Sequence, residues 1–166
     1  YKRLKHLARY LQGSLHHGLW FPKEGSTDRY SEKGILNVFT DTDWAGDKVN
    51  RKSTSSAHVT CEGCLIYDIA RQQSVLAQSS GESETYGAAS GVSPSILILN
   101  LLIWMGFTLG PLRLWLDSKA AKAIIGRLGV GGVRHLEVKS LWLQSLAKKR
   151  QLQVYKVPGE ENPVSY

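Results

Sequence analysis

The fold is decided by residues 37–47, whose sequence is Asn-Val-Phe-Thr-Asp-Thr-Asp-Trp-Ala-Gly-Asp. An apolar run from Ile35 to Phe39 precedes the acids and predicts a buried strand. The run ends at Asp41 and Asp43, and small and polar residues follow. Carboxylates at a strand end indicate a site, but Asp41 can serve as a metal ligand only if further carboxylates arrive from elsewhere in the chain.

A second acid, Asp117, repeats this pattern. It follows the apolar run 112–116 and precedes Ser118, a residue type that commonly caps a helix. The pattern predicts a second strand that ends in an acid.

A third acid, Glu84, lies in the segment 79–86, Ser-Ser-Gly-Glu-Ser-Glu-Thr-Tyr. The segment predicts the start of a helix, and two interpretations of Glu84 are open. It is either a first-turn acid favoured by the helix dipole or a ligand carried over the end of the Asp41 strand. The second interpretation requires close packing on the sheet, which the small residues Ala88 and Gly91 on the same helix face would allow.

The composition indicates one packed, basic domain. The chain has 166 residues, 42% of them hydrophobic, with five Trp and seven Tyr, which argues against a disordered tail. Its formal net charge is +7 and its pI is about 9.5. This charge favours a polyanionic partner but does not by itself distinguish nucleic acid from acidic lipid.

The remaining patterns predict a mixed sheet covered by helices, in the order βββαβααβ. An amphipathic helix over 2–11 comes first, and its basic face suits either nucleic acid or solvent. An apolar helix over 96–104 falls short of the ~20 residues that a membrane span needs. The other predicted elements are a linker over 22–34, hairpin strands over 57–61 and 64–70, a helix over 135–149 and a strand over 152–157.

Six motifs together resemble one family, the ribonuclease H domain of copia-type LTR retrotransposon polyproteins. They are Phe-Thr-Asp-Thr-Asp-Trp-Ala-Gly-Asp at 39–47, Arg-Lys-Ser-Thr-Ser at 51–55, Ser-Ser-Gly-Glu-Ser-Glu at 79–84, Leu-Asp-Ser-Lys-Ala-Ala at 116–121, Arg-His-Leu-Glu-Val-Lys at 134–139 and Val-Pro-Gly-Glu-Glu-Asn-Pro at 157–163. Each motif is weak alone, whereas six in order are specific.

The resemblance implies an α/β, ribonuclease H-like fold, with a five-stranded mixed sheet in which an antiparallel hairpin comes first and parallel strands follow, flanked by helices. It implies an endonuclease that hydrolyses the RNA strand of RNA/DNA hybrids during reverse transcription. Carried over by position, the catalytic and metal-binding carboxylates fall on Asp41, Glu84 and Asp117. For Glu84 this favours the ligand interpretation.

The implied cofactor is Mg²⁺, as two ions, with Mn²⁺ as an alternative. Two such ions roughly 3.5–4 Å apart stabilise the entering and leaving oxygens of a phosphodiester during hydrolysis. Without a cation, clustered carboxylates would repel each other by ~4 kcal/mol per pair at 4 Å and an effective dielectric of ~20.

The implied partners are an RNA/DNA hybrid and the reverse transcriptase portion of the same polyprotein, with no membrane. Hybrid recognition depends on 2′-hydroxyls and backbone shape. The candidate contacts are polar residues, each with an equally open interpretation as turn or cap chemistry: Arg51, Lys52, Ser53, Thr54, Gln73, Ser79 and Ser80. The implied location is intracellular, in a cytoplasmic virus-like particle or the nucleus.

Two further expectations concern the ends of the chain. Residues 1–34 resemble the connection to a preceding reverse transcriptase, and 35–166 form the ribonuclease H-like domain, cut short at its C-terminus. The family's fourth acid falls on Ser165, which carries no charge. An alternative function is therefore a catalytically impaired module that binds nucleic acid or has a structural role.

Overall fold

The computed structural model describes residues 1–19, 21, 29–127 and 138–165. Its strands are β1 Leu36–Asp43, β2 Thr54–Cys61, β3 Cys64–Gln72, β4 Leu112–Leu116 and β5 Leu152–Lys156. Its helices are α1 Lys2–Gly13, α2 Ser80–Trp104, α3 Lys119–Gly126 and α4 Val138–Lys148, with a 3₁₀ turn at Gly159–Glu161. Parts of the predicted linker (22–28), of the predicted 135–149 helix (135–137) and of the 134–139 motif lie outside the described residues.

The five strands form one sheet in the order β3-β2-β1-β4-β5. β1 pairs antiparallel with β2 and parallel with β4, and β4 pairs parallel with β5. The β2–β3 hairpin turns at Glu62 and Gly63, whose φ values of 50° and 80° are those of the turn types that match strand twist. The predicted five-stranded mixed sheet is confirmed.

The central strand β1 is buried on both faces from Leu36 to Thr40, as expected for a strand with structure on either side. The sequence predicted that it ends at Phe39, and this boundary is wrong. β2 begins at Thr54 instead of residue 57, so the ladder extends to the pair Asp43 and Thr54. The acids of β1 therefore lie on a hydrogen-bonded strand, which fixes their direction.

Helix α2 approaches this strand closely at Gly91. A Cβ atom on Gly91 would lie 2.8 Å from Cγ2 of Thr40 and 2.9 Å from Cβ of Ala57. Both distances are shorter than an ordinary carbon–carbon contact of about 3.5–4.0 Å. The predicted close packing of small helix residues on the sheet is therefore confirmed, and it brings the first turns of α2 over the end of β1.

We expect Gly91→Ala to destabilise the domain by about 1–3 kcal/mol, because the added methyl group forces α2 away from the sheet. Alanine's better helix propensity offsets at most about 1 kcal/mol of this loss. Urea unfolding followed by circular dichroism measures the difference. The matched control is Gly126→Ala in α3, where a Cβ atom meets nothing within 4 Å. Equal stability of the two variants would contradict the tight contact.

The apolar segment 96–104 is not a separate short helix, since it continues α2, a single helix of 25 residues. By length and composition alone α2 could cross a membrane. However, all residues from Gly81 to Ala89 are buried within the domain, as in the core helix of a globular protein. The C-terminal half of α2 differs, because Leu97 and Trp104 are exposed.

The predicted N-terminal helix is present as α1. Its apolar stripe, which includes Leu4, Leu7 and Leu11, is exposed. The assignment of 1–34 to a connection segment stays a prediction.

Candidate active site

Three acids from different parts of the chain meet at the carboxyl ends of β1 and β4. One carboxylate oxygen from each of Asp41, Glu84 and Asp117 lies within 4.8 Å of the other two. Glu84 is buried, while Asp41 and Asp117 are half-buried. The structure therefore brings the three acids together at this edge of the sheet, as expected from the sequence.

Glu84 is positioned by the capped start of α2. The Oγ atom of Ser79 accepts a hydrogen bond from the backbone N–H of Glu82 at 3.2 Å, which satisfies one free donor of the first turn. The carboxylate of Glu82 in turn accepts from the backbone N–H of Gln78 and from the hydroxyl of Tyr86. Glu82 is thus a structural acid, and Glu84 is the acid directed toward the other two.

Asp117 is positioned by β4 and by the helix that follows it. The Oγ atom of Ser118 accepts from the backbone N–H of Ala121 at 3.2 Å, so the predicted cap is present and α3 begins directly after the acid. On β1, the Oδ1 atom of Asp41 accepts from the backbone N–H of Thr42 at 2.8 Å. Hydrogen bonds therefore hold the backbone beside Asp117 and orient the side chain of Asp41.

The pKa values of two of the three acids are raised by burial and by the negative charges of their neighbours. Burial, followed by the charges of Asp117 and Asp41, raises the pKa of Glu84 to about 8. Burial and the charge of Asp41 also raise the pKa of Asp117, against the smaller lowering effects of a backbone hydrogen bond and of Lys156. Glu84 is consequently protonated at neutral pH unless a cation joins the cluster.

The donor set fits a hard divalent cation. Among the described residues, the buried Oε2 of Glu84 and Oδ1 of Asp117 have no hydrogen-bond partner. Buried carboxylate oxygens without a partner are costly. Oxygen ligands of this kind are those that Mg²⁺ and Mn²⁺ prefer.

The raised pKa of Glu84 gives a prediction about stability in metal-free buffer. A group whose pKa is higher in the folded state than its ordinary 4.5 stabilises the fold below that value. This contribution is lost as the pH rises through about 8. We expect Glu84→Gln, whose side chain cannot ionise, to lose much less stability as the pH rises. At pH 9 in EDTA it should be more stable than the unsubstituted protein by at least about 1–2 kcal/mol, at roughly 1.4 kcal/mol per pKa unit.

Urea unfolding at pH 5, 7 and 9 in EDTA tests this expectation. Added Mg²⁺ should stabilise the unsubstituted protein at pH 9 and have little effect on Glu84→Gln. If the free energy of unfolding changes with pH in the same way in the two proteins, the pKa of Glu84 is not raised in the folded state.

No structural role was predicted for Asn162, although the residue stands in the 157–163 motif. Its side chain is buried, and its Nδ2 donates to the carbonyl oxygen of Thr40 at 3.0 Å. This bond attaches the C-terminal segment to β1 one residue before Asp41. Ser165 follows three residues later, with a buried Oγ that has no partner in the described part of the chain.

The predicted nucleic-acid contacts divide into exposed and interior residues. Arg51, Thr54, Ser79 and Ser80 are exposed and Lys52 is half-buried, so all five remain candidates for a direct contact.

Two of the predicted contacts lie inside the domain. Ser53 is 1% exposed, and its Oγ accepts from the backbone N–H of Ala45 at 3.1 Å. The side chain of Ser53 therefore has a structural role, and its contact with nucleic acid stays a prediction. Gln73 is also buried, and its Nε2 donates to Ser55 Oγ and to the Ser83 carbonyl oxygen. The Oε1 of Gln73 is buried and has no hydrogen-bond partner among the described residues, and its contact with nucleic acid stays a prediction.

No family model matches the chain, but curated relatives do. The retrovirus-related Pol polyprotein of a Nicotiana tabacum transposon is 27% identical over 164 residues, which is 98% of this chain and 12% of that polyprotein. A Pol polyprotein from an Arabidopsis thaliana transposon is 34% identical over 106 residues, 64% of this chain and 7% of that polyprotein. The chain thus spans only a small part of the length of these relatives.

Among solved structures, a ribonuclease H1 isolated from compost matches with a TM-score of 0.59 at 14% identity, over 78% of this chain and 88% of that chain. The chain is related to copia-type Pol polyproteins and has the ribonuclease H fold. The resemblance expected from the six motifs is therefore supported by these relatives and by the fold. In this ribonuclease H fold the acid cluster lies at the carboxyl ends of the two central parallel-paired strands, β1 and β4.

Proposed function

We propose that this domain is a metal-dependent endonuclease that hydrolyses the RNA strand of RNA/DNA hybrids during retroelement reverse transcription. One observation carries the proposal. Three acids from β1, α2 and the end of β4 offer oxygens within 4.8 Å of one another, and two of their buried oxygens have no partner among the described residues. The relatives are retrovirus-related Pol polyproteins from transposons, which supports the retroelement setting.

Asp41, Glu84 and Asp117 are the residues that would hold the cofactor, two Mg²⁺ ions or Mn²⁺ in their place. Bound divalent ions supply a lowered pKa for water and positive charge for the oxygens of the reacting phosphodiester. The chain contributes a positioned cluster, because Asp41 stands on a hydrogen-bonded strand, Glu84 on a capped helix and Asp117 between the end of β4 and the cap of α3. Because burial and the neighbouring acids raise the pKa of Glu84 to about 8, Glu84 would have to release a proton to act as a carboxylate ligand at neutral pH.

Substrate recognition is proposed for the polar surface beside the cluster. The exposed hydroxyls of Ser79 and Ser80 begin α2, whose second turn carries Glu84. Hydroxyls of this kind suit sugar 2′-hydroxyls and phosphate oxygens. Arg51, Lys52 and Thr54, in and beside the loop after β1, would add backbone contacts.

The proposed setting is intracellular, in a virus-like particle or the nucleus, with the reverse transcriptase portion of the same polyprotein as partner. Residues 1–34 would form the connection to it.

A second candidate function is favoured by Ser165. A neutral hydroxyl at the family's fourth acidic position cannot supply the charge of a carboxylate. The second ion would then bind weakly, and the domain would bind hybrid without cutting it.

A cleavage assay separates the two functions. Purified protein is incubated with a hybrid labelled on its RNA strand and with Mg²⁺ or Mn²⁺ at 0.1–50 mM. Cleavage that EDTA stops supports the endonuclease. Salt-sensitive binding without cleavage at any metal concentration supports the silent module.

A further inference from the structure

The β2–β3 hairpin carries the two cysteines of the chain on either side of its turn. Cys61 ends β2, Cys64 begins β3, and the two residues are paired directly across the hairpin. The turn between them consists of Glu62 and Gly63, whose φ values of 50° and 80° are those of a two-residue type I′ turn. Both thiols are free and half-buried. The turn therefore holds two free thiols opposite each other on one face of the sheet.

The tip of the hairpin is held by the rest of the domain. The side chain of Cys61 packs against the hydrophobic core, and β2 pairs with β1 as far as Cys61, whose partner is Leu36. The Oε1 of Glu62 accepts a hydrogen bond from the backbone N–H of Gly34 at 3.1 Å. The fold thus sets the relative position of the two cysteines, as a free loop would not.

The spacing of the pair is close to that of a disulfide. Residues directly opposite each other in an antiparallel pair have Cα atoms about 4.5–5.5 Å apart, and disulfides span about 4.4–6.8 Å between these atoms. The Cβ atoms of such a pair are about 4.5–5.5 Å apart, whereas a disulfide brings them to about 3.5–4.5 Å. The tip must therefore close slightly to form the bond. The resulting strain makes the bond easier to reduce, as in labile disulfides.

The two thiols differ in their readiness to react. Burial, followed by the negative charges of Glu62 and Cys64, raises the pKa of the Cys61 thiol. Cys61 therefore keeps its proton at neutral pH, and a protonated thiol is a poor nucleophile. The first reaction with an outside molecule consequently falls to Cys64. Cys61 is suited to the second step, because that step takes place within the hairpin.

A metal site is the other use of two thiols at this spacing, since a pair of this kind supplies half of a tetrahedral zinc site. The other half would have to come from further Cys, His or acidic side chains. Among the described residues, the acids that converge as possible metal ligands are Asp41, Glu84 and Asp117, without either cysteine. The surroundings of the pair therefore favour a bond between the two sulfurs.

We propose that Cys61 and Cys64 form a reversible redox site that is oxidised by small disulfides. Cys64 loses its proton to solvent, and its thiolate attacks one sulfur of the small disulfide. The S–S bond of that molecule breaks, a mixed disulfide forms on Cys64, and one small thiolate leaves. Cys61 then loses its proton to solvent, and its thiolate attacks the Sγ of Cys64 and displaces the second small thiolate. The two cysteines are oxidised to a disulfide, and the small disulfide is reduced to two thiols, which take up the two protons.

This inference is independent of the proposed function. Cys61 pairs with Leu36 at the amino end of β1, whereas Asp41 pairs with Ser56 toward the other end. The redox site and the acid cluster are therefore at opposite ends of the central strand.

The test exposes the reduced, folded protein to glutathione disulfide. Thiols are counted with a chromogenic reagent, and the mass is measured without reductant. We expect both thiols to be lost and the mass to fall by two hydrogen atoms, and excess reduced glutathione should restore both thiols. Because folding aligns the pair, closure of the mixed disulfide should be at least about tenfold faster in the folded protein than in concentrated urea.

Two single variants test the order of the steps. In Cys61→Ser, an adduct of one glutathione should accumulate on Cys64, because no second thiol displaces it. In Cys64→Ser, the adduct on Cys61 should form more slowly. Circular dichroism checks that both variants fold, and the mass measurement on the unsubstituted protein does not depend on them. Faster reaction of Cys64→Ser than of Cys61→Ser would contradict the assigned order.

Three results would overturn the redox site itself. The first is a mixed disulfide or a disulfide-linked dimer that persists in the unsubstituted protein without ring closure. The second is equal closure rates in the folded protein and in urea, since the hairpin would then contribute nothing. The third is protection of both thiols by added Zn²⁺ in a protein that fails to close its disulfide without the metal, which would make the pair half of a metal site.

Discussion

Asp41→Asn is expected to reduce the rate of hybrid cleavage by about 10³-fold or more. The substitution keeps the size and shape of the side chain but removes a charge from the cluster of three acids. Stabilisation of transition-state charge by bound metal is worth several kcal/mol, and each 1.36 kcal/mol is tenfold in rate. Cleavage of a hybrid labelled on its RNA strand, at saturating Mg²⁺ or Mn²⁺, measures the loss.

The matched control is Asp43→Asn, two residues further along β1. Asp43 is exposed and does not belong to the cluster, so its variant should retain activity within a few-fold. Both variants should unfold at the same temperature as the unsubstituted protein or slightly above it. Equal loss in the two variants, or full activity of Asp41→Asn, would contradict the role assigned to Asp41.

Ser165→Asp is expected to lower the metal concentration needed for half-maximal cleavage by about 10- to 100-fold. Changes to the outer shell of a metal site alter affinity by about that factor, and a direct carboxylate ligand should contribute at least as much. The substitution is made with Val164 unchanged, because Val164 is buried and truncating it would cost packing. The Asn162 anchor on β1 should hold the new acid in place.

Ser165→Asn is the control for this gain, since it matches the new side chain in size and lacks its charge. Titration of the cleavage rate with Mg²⁺ compares the three proteins. A gain shared by the Asp and Asn variants would point to packing instead of charge. No gain with Asp would show that the absence of an acid at position 165 does not limit metal binding.

The meeting of Asp41 and Asp117 was predictable from local sequence patterns. Asp41 and Asp117 each end an apolar strand, and the carboxyl ends of parallel strands meet at one edge of a sheet. For Glu84 the residues alone left two interpretations open, and the family resemblance favoured the ligand. The structure shows the packing that the ligand interpretation requires, since Gly91 allows α2 to lie against Thr40 and Ala57. The same acid on a helix held further away would have had no partners.

Other features depended on tertiary contacts that no local pattern reveals. Ser53 is a hydroxyl residue in a basic loop, as is typical of phosphate contacts. Its side chain is nevertheless buried, and its Oγ accepts from the backbone N–H of Ala45. The extension of β1 beyond Phe39 follows from its pairing with β2, although polar residues at the strand end suggested a loop. Likewise, the role of Asn162 appears only once the carbonyl of Thr40, far away in sequence, is seen to be its partner.

The central claim is that Asp41, Glu84 and Asp117 bind shared divalent ions. The most direct measurement is anomalous diffraction from crystals of the domain grown with Mn²⁺. We expect at least one anomalous peak within bonding distance of an oxygen from each of the three side chains, and loss of that peak in Asp41→Asn crystals. Ordered Mn²⁺ elsewhere with none at the cluster, or a cluster that holds only water at saturating Mn²⁺, would contradict the account.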